Sequence, residues 1–341
     1  MTTVSLPPSV HADLTSFCAA LRPPAAGGPV RVYCGHQIQA DYPASVVAKL
    51  AALAGLAEAG PVALWLDTDR AGSQRAMTTI TLPDGTRIPW VPHRVRDAES
   101  RFIPLGIDRV AGIADALREW ARVQAPGARS RLDALVAAAA SAPQTLSSAL
   151  RAWSMHLVRA GLGLAAGDVM VSDLLDRPAV RARVQDLVDS IEDVVAVFNE
   201  TVESLVAGGL DPAVRPVAPD YLPLHYSCPV DGSRRRLSRR GRDAEAECGC
   251  GAVYRFSLGD LDALFATRRW STDVTLPLAI EPLYSGVVAG KTSWRYGLVL
   301  GAVGRRVWQS EPLPSFLPPA LTGDGDAAGE TTLLLRYLGD R

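Results

Sequence analysis

The sequence predicts an α/β protein: a Rossmann-like parallel sheet core with a helical arm and a small zinc-ribbon-like insertion. Three observations predict it. VRVYC (30–34) and VALWL (62–66) read as buried strands on either side of an apolar helix, the order of a βαβ unit on a parallel sheet. Alanine- and leucine-rich amphipathic stretches then run from about Ile107 to Val206. Three of the five cysteines crowd into residues 228–250.

Each element has its own signal. The first helix spans about Pro43 to Glu58, with proline near its first turn and Gly60-Pro61 closing it. The strand before it ends in Gly35-His36-Gln37 and the strand after it in Asp67-Thr68-Asp69. Ligands of parallel sheets sit beyond the carboxyl ends of the strands, so both polar ends are expected at one crevice. MTTITL, Pro83-Asp84-Gly85 and TRIPWV read as a hairpin beside it. Helical stretches follow at 107–124, 129–140, 144–160 and 178–206, and DPAVRPVAPDYLPLHY returns the chain to irregular structure. A short helix is expected near 258–267, a second helix opening at Gly290-Lys291-Thr292-Ser293, and a loop at 321–330. The resulting division is 1–106 for the first part of the core, 107–210 for the arm and 211–224 for the return segment. The ribbon takes 225–257 and the rest of the core 258–341.

Composition narrows the function. A chain of 341 residues with 48% hydrophobic content suits two domains with a sizeable core. No apolar run reaches a membrane span, and MTTVSLPPSVHADL lacks the features of a signal peptide, so a cytoplasmic protein that does not enter membranes is expected. A net charge of −1 makes no overall case for nucleic acid. An odd, clustered cysteine set fits a metal site in a reducing compartment better than disulfides.

The metal motif is the densest signal. His225-x2-Cys228-Pro-Val-Asp-Gly forms one knuckle and Cys248-Gly-Cys250-Gly the other. His225, Cys228, Cys248 and Cys250 would fill a closed tetrahedral shell around structural zinc. Six arginines (234, 235, 236, 239, 240 and 242) lie between the knuckles, and Asp243, Glu245 and Glu247 follow them. They fit either an RNA-contacting face or a solvated ribbon hairpin.

Of 35 cations only Lys49 and Lys291 are lysine. Base composition accounts for such a skew, as does a need for a compact ammonium that arginine cannot imitate. His36 stands between a strand and a helix, where it can act as a general base or stabilise an oxyanion. Asp67 and Asp69, with Arg70 and Ser73, can bind a cation or an amine, or cap the next element. Gly290, Lys291, Thr292 and Ser293 form an oxyanion or phosphate cradle at a helix start but lack the earlier glycine of a P-loop.

In order and spacing these motifs resemble the bacillithiol synthase family. GHQ, Lys49 twelve residues after Gln37, and LWLDTDRAGS are similar to that family's N-terminal core. VRPVAPDYLP and SGVVAGKTSWRYGLVL are similar to a later pair of its segments, with Gly290, Ser293 and Tyr296 in the matching places. The likeness covers about residues 30–80, 213–223 and 284–303. His36 stands where the family has glutamine and Ser293 where it has an acidic residue, and the metal segment interrupts the C-terminal part. The resemblance implies a Rossmann-like core and a C–N ligase that adds an amino acid, with cysteine as the candidate, to an amine acceptor, with ATP as the candidate activator. His36, Asp67, Asp69 and Lys291 would be catalytic. Gln37, Lys49, Arg70, Ser73, Gly290, Thr292, Ser293 and Tyr296 would bind substrate. Two other readings stay open: a non-catalytic ribbon that binds RNA or protein, and a class I synthetase-like nucleotidyltransferase. The oligomeric state also stays open.

Overall fold

A computed structural model describes residues 10–37, 39–58, 62–68, 78–91, 98–141, 145–164, 167–319 and 332–339, with backbone alone for 63–68. The chain enters through β1 (Val10–His11) and α1 (Leu14–Ala20), where Asp13 caps the helix by accepting the Ser16 amide. The expected strand–helix–strand unit follows as β2 (Arg31–Gln37), α2 (Ala44–Glu58) and β3 (Val62–Thr68). β2 continues through Gly35-His36-Gln37, so this motif is the last part of the strand. The hairpin β4 (Thr79–Thr81) and β5 (Arg87–Pro89) turns at Gly85, whose φ of +85° suits glycine.

Helices α3 (Ile107–Gln124), α4 (Arg129–Ala140) and α5 (Leu146–Leu162) fall close to their expected places. A Thr145–Ser148 capping box starts α5, and left-handed Gly163 ends it. The stretch read as one arm then breaks. Residues Gly167–Met170 form β6, followed by α6 (Val171–Leu175), α7 (Pro178–Asp189) and α8 (Ile191–Ala207). A four-residue strand between helices has too few residues to show a period, which is why the pattern hides it.

Next come β7 (Tyr221–Ser227), β8 (Arg234–Arg240), β9 (Asp243–Glu247) and β10 (Val253–Ser257). After α9 (Asp262–Ala266), β11 (Trp270–Thr272) pairs back onto β7. The ribbon is therefore a five-stranded antiparallel sheet, ordered β10-β9-β8-β7-β11, that extends past both expected bounds. The chain closes with α10 (Leu276–Ile280), β12 (Gly286–Val288), α11 (Lys291–Trp308), β13 (Ser315–Phe316) and α12 (Leu333–Leu338).

The main sheet has six strands in the order β1-β13-β12-β2-β3-β6, every pairing parallel. From β2 the chain moves outward to β3 and β6, then returns to β12 on the other side of β2. The strand order thus reverses between β2 and β12. Apolar packing covers both faces. Val32, Cys34 and the buried side of α2 join α3, α4 and α5 in one cluster, while Tyr33 joins α7, α8, α11 and the ribbon in another. β12 packs so tightly that a Cβ on Gly286 would lie 2.6 Å from Leu21 Cδ2 and 2.9 Å from Phe17 Cζ. Among the described residues no helix is long and apolar enough to cross a membrane.

Candidate metal centre and active crevice

The metal cluster forms where two turns of the antiparallel sheet meet. In the β7–β8 turn, Cys228 N donates to Ser233 O at 2.8 Å and Gly232 N donates to Cys228 O at 2.9 Å. In the β9–β10 turn, Cys248 N and Ala252 O are 2.9 Å apart, as are Gly251 N and Cys248 O. Gly232 and Gly251 have φ of +72° and +86°, which lets each turn close beneath its cysteine.

Cys228, Asp231, Cys248 and Cys250 present ligand atoms that all lie within 4.8 Å of one another, a group that can hold a metal ion. Cys228 Sγ is 3.7 Å from Cys250 Sγ, and Cys248 Sγ is 3.4 Å from Asp231 Oδ2. Metal–sulfur bonds near 2.3 Å and metal–oxygen bonds near 2.1 Å give a tetrahedron with edges of about 3.4–3.8 Å, so the donor set fits. Val230 N points at Cys228 Sγ from 3.3 Å, the amide-to-thiolate contact of a knuckle. The Ser233 hydroxyl and amide donate to Asp231 Oδ1 at 2.7 and 2.9 Å and hold its carboxyl down at about 2. At Cys248 burial opposes ionisation, but the Cys250 amide and the Ser233 hydroxyl outweigh it and lower the thiol.

His225 does not belong to this group; Asp231 takes its expected place. The reason is strand geometry. His225 sits within β7, in register with Arg236 on one side and Ser271 on the other. Three residue steps of extended chain carry Cys228 roughly 10 Å away from it and turn the two side chains to opposite faces. Its Nδ1 is buried without a partner. Burial, helped by the charges of Arg234 and Arg236, depresses its pKa to about 2. The sequence carries a signal for Asp231: it stands three residues beyond Cys228 in C-x-x-D-G, the place of the second ligand in a C-x-x-C knuckle.

The arginines of β8 are largely engaged within the fold. Arg234 reaches Ser271 and the Thr272 carbonyl, Arg236 reaches Asp273, Arg239 reaches Glu192 and Arg240 reaches Asp220. A guanidinium nitrogen of Arg235 lies 3.2 Å from where a Cβ on Gly249 would be, against the second knuckle.

The second site lies at the carboxyl ends of β2 and β12, where the strand order reverses. Val287 pairs with Tyr33, so the chain leaving β12 brings Gly290 alongside the end of β2. Lys49, from α2, joins the two. Its Nζ lies 3.4 Å from the Gly35 carbonyl oxygen. Its Cδ and Cε would be 3.4 and 3.7 Å from a Cβ on Gly290. Lys49 is 7% exposed, and among the described side chains, which do not include that of Asp67, no carboxylate lies within ion-pair reach of it. Its charge acts on both Cys34 and His36.

His36 is half-buried, with its ring 5.7 Å from that of Tyr42. Burial, then the Lys49 charge, depresses its pKa to about 3, so the ring is neutral at pH 7. The Gln39 amide nitrogen lies 2.8 Å from its Nε2 and can only donate, so the ring proton sits on Nδ1. Nothing in the sequence beyond nearness marks Gln39 for this task. On the other face of β2, Gln37 Oε1 is buried without a hydrogen-bond partner.

At the start of α11, Gly290 N donates to Ser293 Oγ at 2.7 Å, which fixes the first turn. Lys291 and Ser293 are half-buried and Thr292 is exposed. Half-buried Tyr296 packs in the same apolar cluster as Tyr33, and burial pushes its hydroxyl up to about 12. Asp67 pairs through its backbone with His36 at the end of β3. Asp69, Arg70 and Ser73 lie outside the described residues. His36, Gln37, Lys49 and Gly290 thus share one edge of the sheet, with Lys291 as the next residue of that edge. The metal cluster is built on a different sheet. In comparisons with protein-family models and with curated proteins, no match to this chain was found.

Proposed function

We propose that the protein is a carbon–nitrogen ligase with a Rossmann-like core, joining the carboxyl group of an amino acid, with cysteine as candidate, to the amine of a small acceptor. The observation that carries the reading is Lys49, buried between Gly35 and Gly290 where the strand order reverses. Read outward from β2, the order runs 3-2-1-4-5 across β6, β3, β2, β12 and β13, the order of doubly wound folds that bind ligands at this reversal.

Amide formation removes one water from an acid and an amine, and ATP would supply the activated leaving group. Lys49 and the first turn of α11 would hold the charge that develops on the acyl oxygens. Neutral His36 would offer its Nδ1–H as a donor, a role its tautomer favours over general base. Asp67 and Asp69 would hold the incoming amine, and Gln37 would accept a hydrogen bond from substrate. The metal cluster is read as structural zinc: three soft thiolates and a carboxylate fill a tetrahedral shell, with no place left for a reacting water. The internal pairing of the β8 arginines favours this enzyme over an RNA-binding ribbon.

A condensation assay tests the proposal. Purified protein, ATP and a panel of amino acids and small primary amines should yield a product whose mass is the sum of the two substrates less one water. Absence of product and of nucleotide turnover across the panel would refute the ligase reading.

A further inference from the structure

Lys49 makes a narrower claim about what enters the crevice. A buried ammonium is costly unless paired, and folded proteins pair it with an anion or leave it neutral. Here its one polar partner among the described residues is a neutral carbonyl at 3.4 Å, the long limit of a hydrogen bond. Among the described residues no second acceptor engages the three donors of the ammonium. The charge lies beside Gly290, the N-cap of an eighteen-residue helix whose first-turn amides have no intrahelical acceptors. A Cβ on Gly290 would meet the Lys49 stem at ordinary van der Waals distance, so the lysine stem and the helix end are close neighbours.

We propose that the buried Lys49 ammonium and the first-turn amides of α11 form an oxyanion subsite for the carboxylate or phosphate group of a substrate. The subsite rests on reading the crevice as the binding site and names the group it recognises. A point charge and a row of amides bind such a group without needing the planar fork of arginine.

Thermal melting and calorimetry of the full chain test it, with two probe classes: inorganic phosphate and ATP, and the amino acids L-cysteine and L-serine. At about a hundredfold excess over Kd, a true ligand should raise the melting temperature by roughly 3–4 °C. Lys49→Met should weaken that binding at least tenfold while melting, ligand-free, no lower than the parent. Lys49→Arg should weaken binding by less, because it keeps the charge. A shift with phosphate and ATP alone assigns the subsite to phosphate, and a shift with amino acids alone assigns it to the carboxylate. Unchanged affinity in Lys49→Met, or no shift of the parent protein with either class, overturns the proposal. The ligase reading falls separately: Lys49-dependent binding without any condensation product refutes the ligase alone, and product formed without Lys49-dependent binding refutes the subsite alone.

Discussion

Asp231 Oδ2 lies 3.4 Å from Cys248 Sγ, so the two turns of the ribbon meet through a carboxylate and a thiol. That contact moves the fourth metal ligand from the strand to the turn. Purified protein should contain about one zinc per chain. Asp231→Ala should lower the zinc content and destabilise the ribbon, since metal-binding energy is folding energy. His225→Ala should retain full zinc. Elemental analysis decides, and the reverse pattern would restore the histidine as ligand.

Two imidazoles with depressed pKa values contribute to acid sensitivity. His36 and His225 have native pKa values of about 3 and about 2, against about 6.5 in the unfolded chain. Below pH 6.5 the unfolded chain takes up protons that the native protein refuses. Their contribution is therefore complete above pH 6.5 and is lost as pH falls toward 3, by up to about 1.4 kcal/mol per pH unit for each ring. Denaturant midpoints at pH 7 and pH 5 check the slope. NMR should show two histidines that do not titrate between pH 8 and pH 5; two normal titrations near 6.5 would contradict their burial.

Much of the fold and of the candidate sites is legible in the sequence, and the gaps have physical causes. The βαβ unit and the start of α11 announce themselves through long apolar runs and a glycine-led helix end. β1, β6 and β13 do not, because strands of two to four residues carry no period. β11 is hidden for the same reason, which leaves the expected ribbon one strand short. Cysteine spacing locates the group that can hold a metal ion, but the preference of zinc for nitrogen and sulfur points to His225 ahead of the carboxylate already in the turn. Lys49 stands out by composition, while its contact with Gly290 depends on a pairing between segments far apart in the chain.

Glu99 anchors the ribbon to the helical side of the molecule. Its carboxylate is fully buried, paired with Arg101 and accepting the Ser227 hydroxyl, and its amide donates to Gly232 O at 3.1 Å, beside the metal turn. Glu99→Ala strands these partners and should cost about 3 kcal/mol in denaturant unfolding. Glu99→Gln, which keeps an acceptor for Ser227, should cost less. Equal, negligible losses would mean that the pair does not hold the ribbon to the helical side.

Lys291 opens α11 and is half-buried just beyond the carboxyl end of β12. If its compact charge meets a developing negative charge, Lys291→Arg should lower turnover about tenfold or more, equivalent to about 1.4 kcal/mol of transition-state stabilisation. Melting should barely change. Steady-state kinetics with the substrates found by the condensation assay provide the check, and parental turnover would mean that Lys291 takes no part in the reaction.

The central claim is that catalysis belongs to the crevice between β2 and β12 and not to the metal centre. A crystal structure of the protein soaked with an amino acid and a non-hydrolysable ATP analogue tests it most directly. The account predicts an oxyanion within hydrogen-bond distance of Lys49 Nζ and the first turn of α11, with His36 facing the ligand and the metal coordinated only by Cys228, Asp231, Cys248 and Cys250. Ligand bound to the metal, or seated away from the carboxyl ends of β2 and β12, would contradict it.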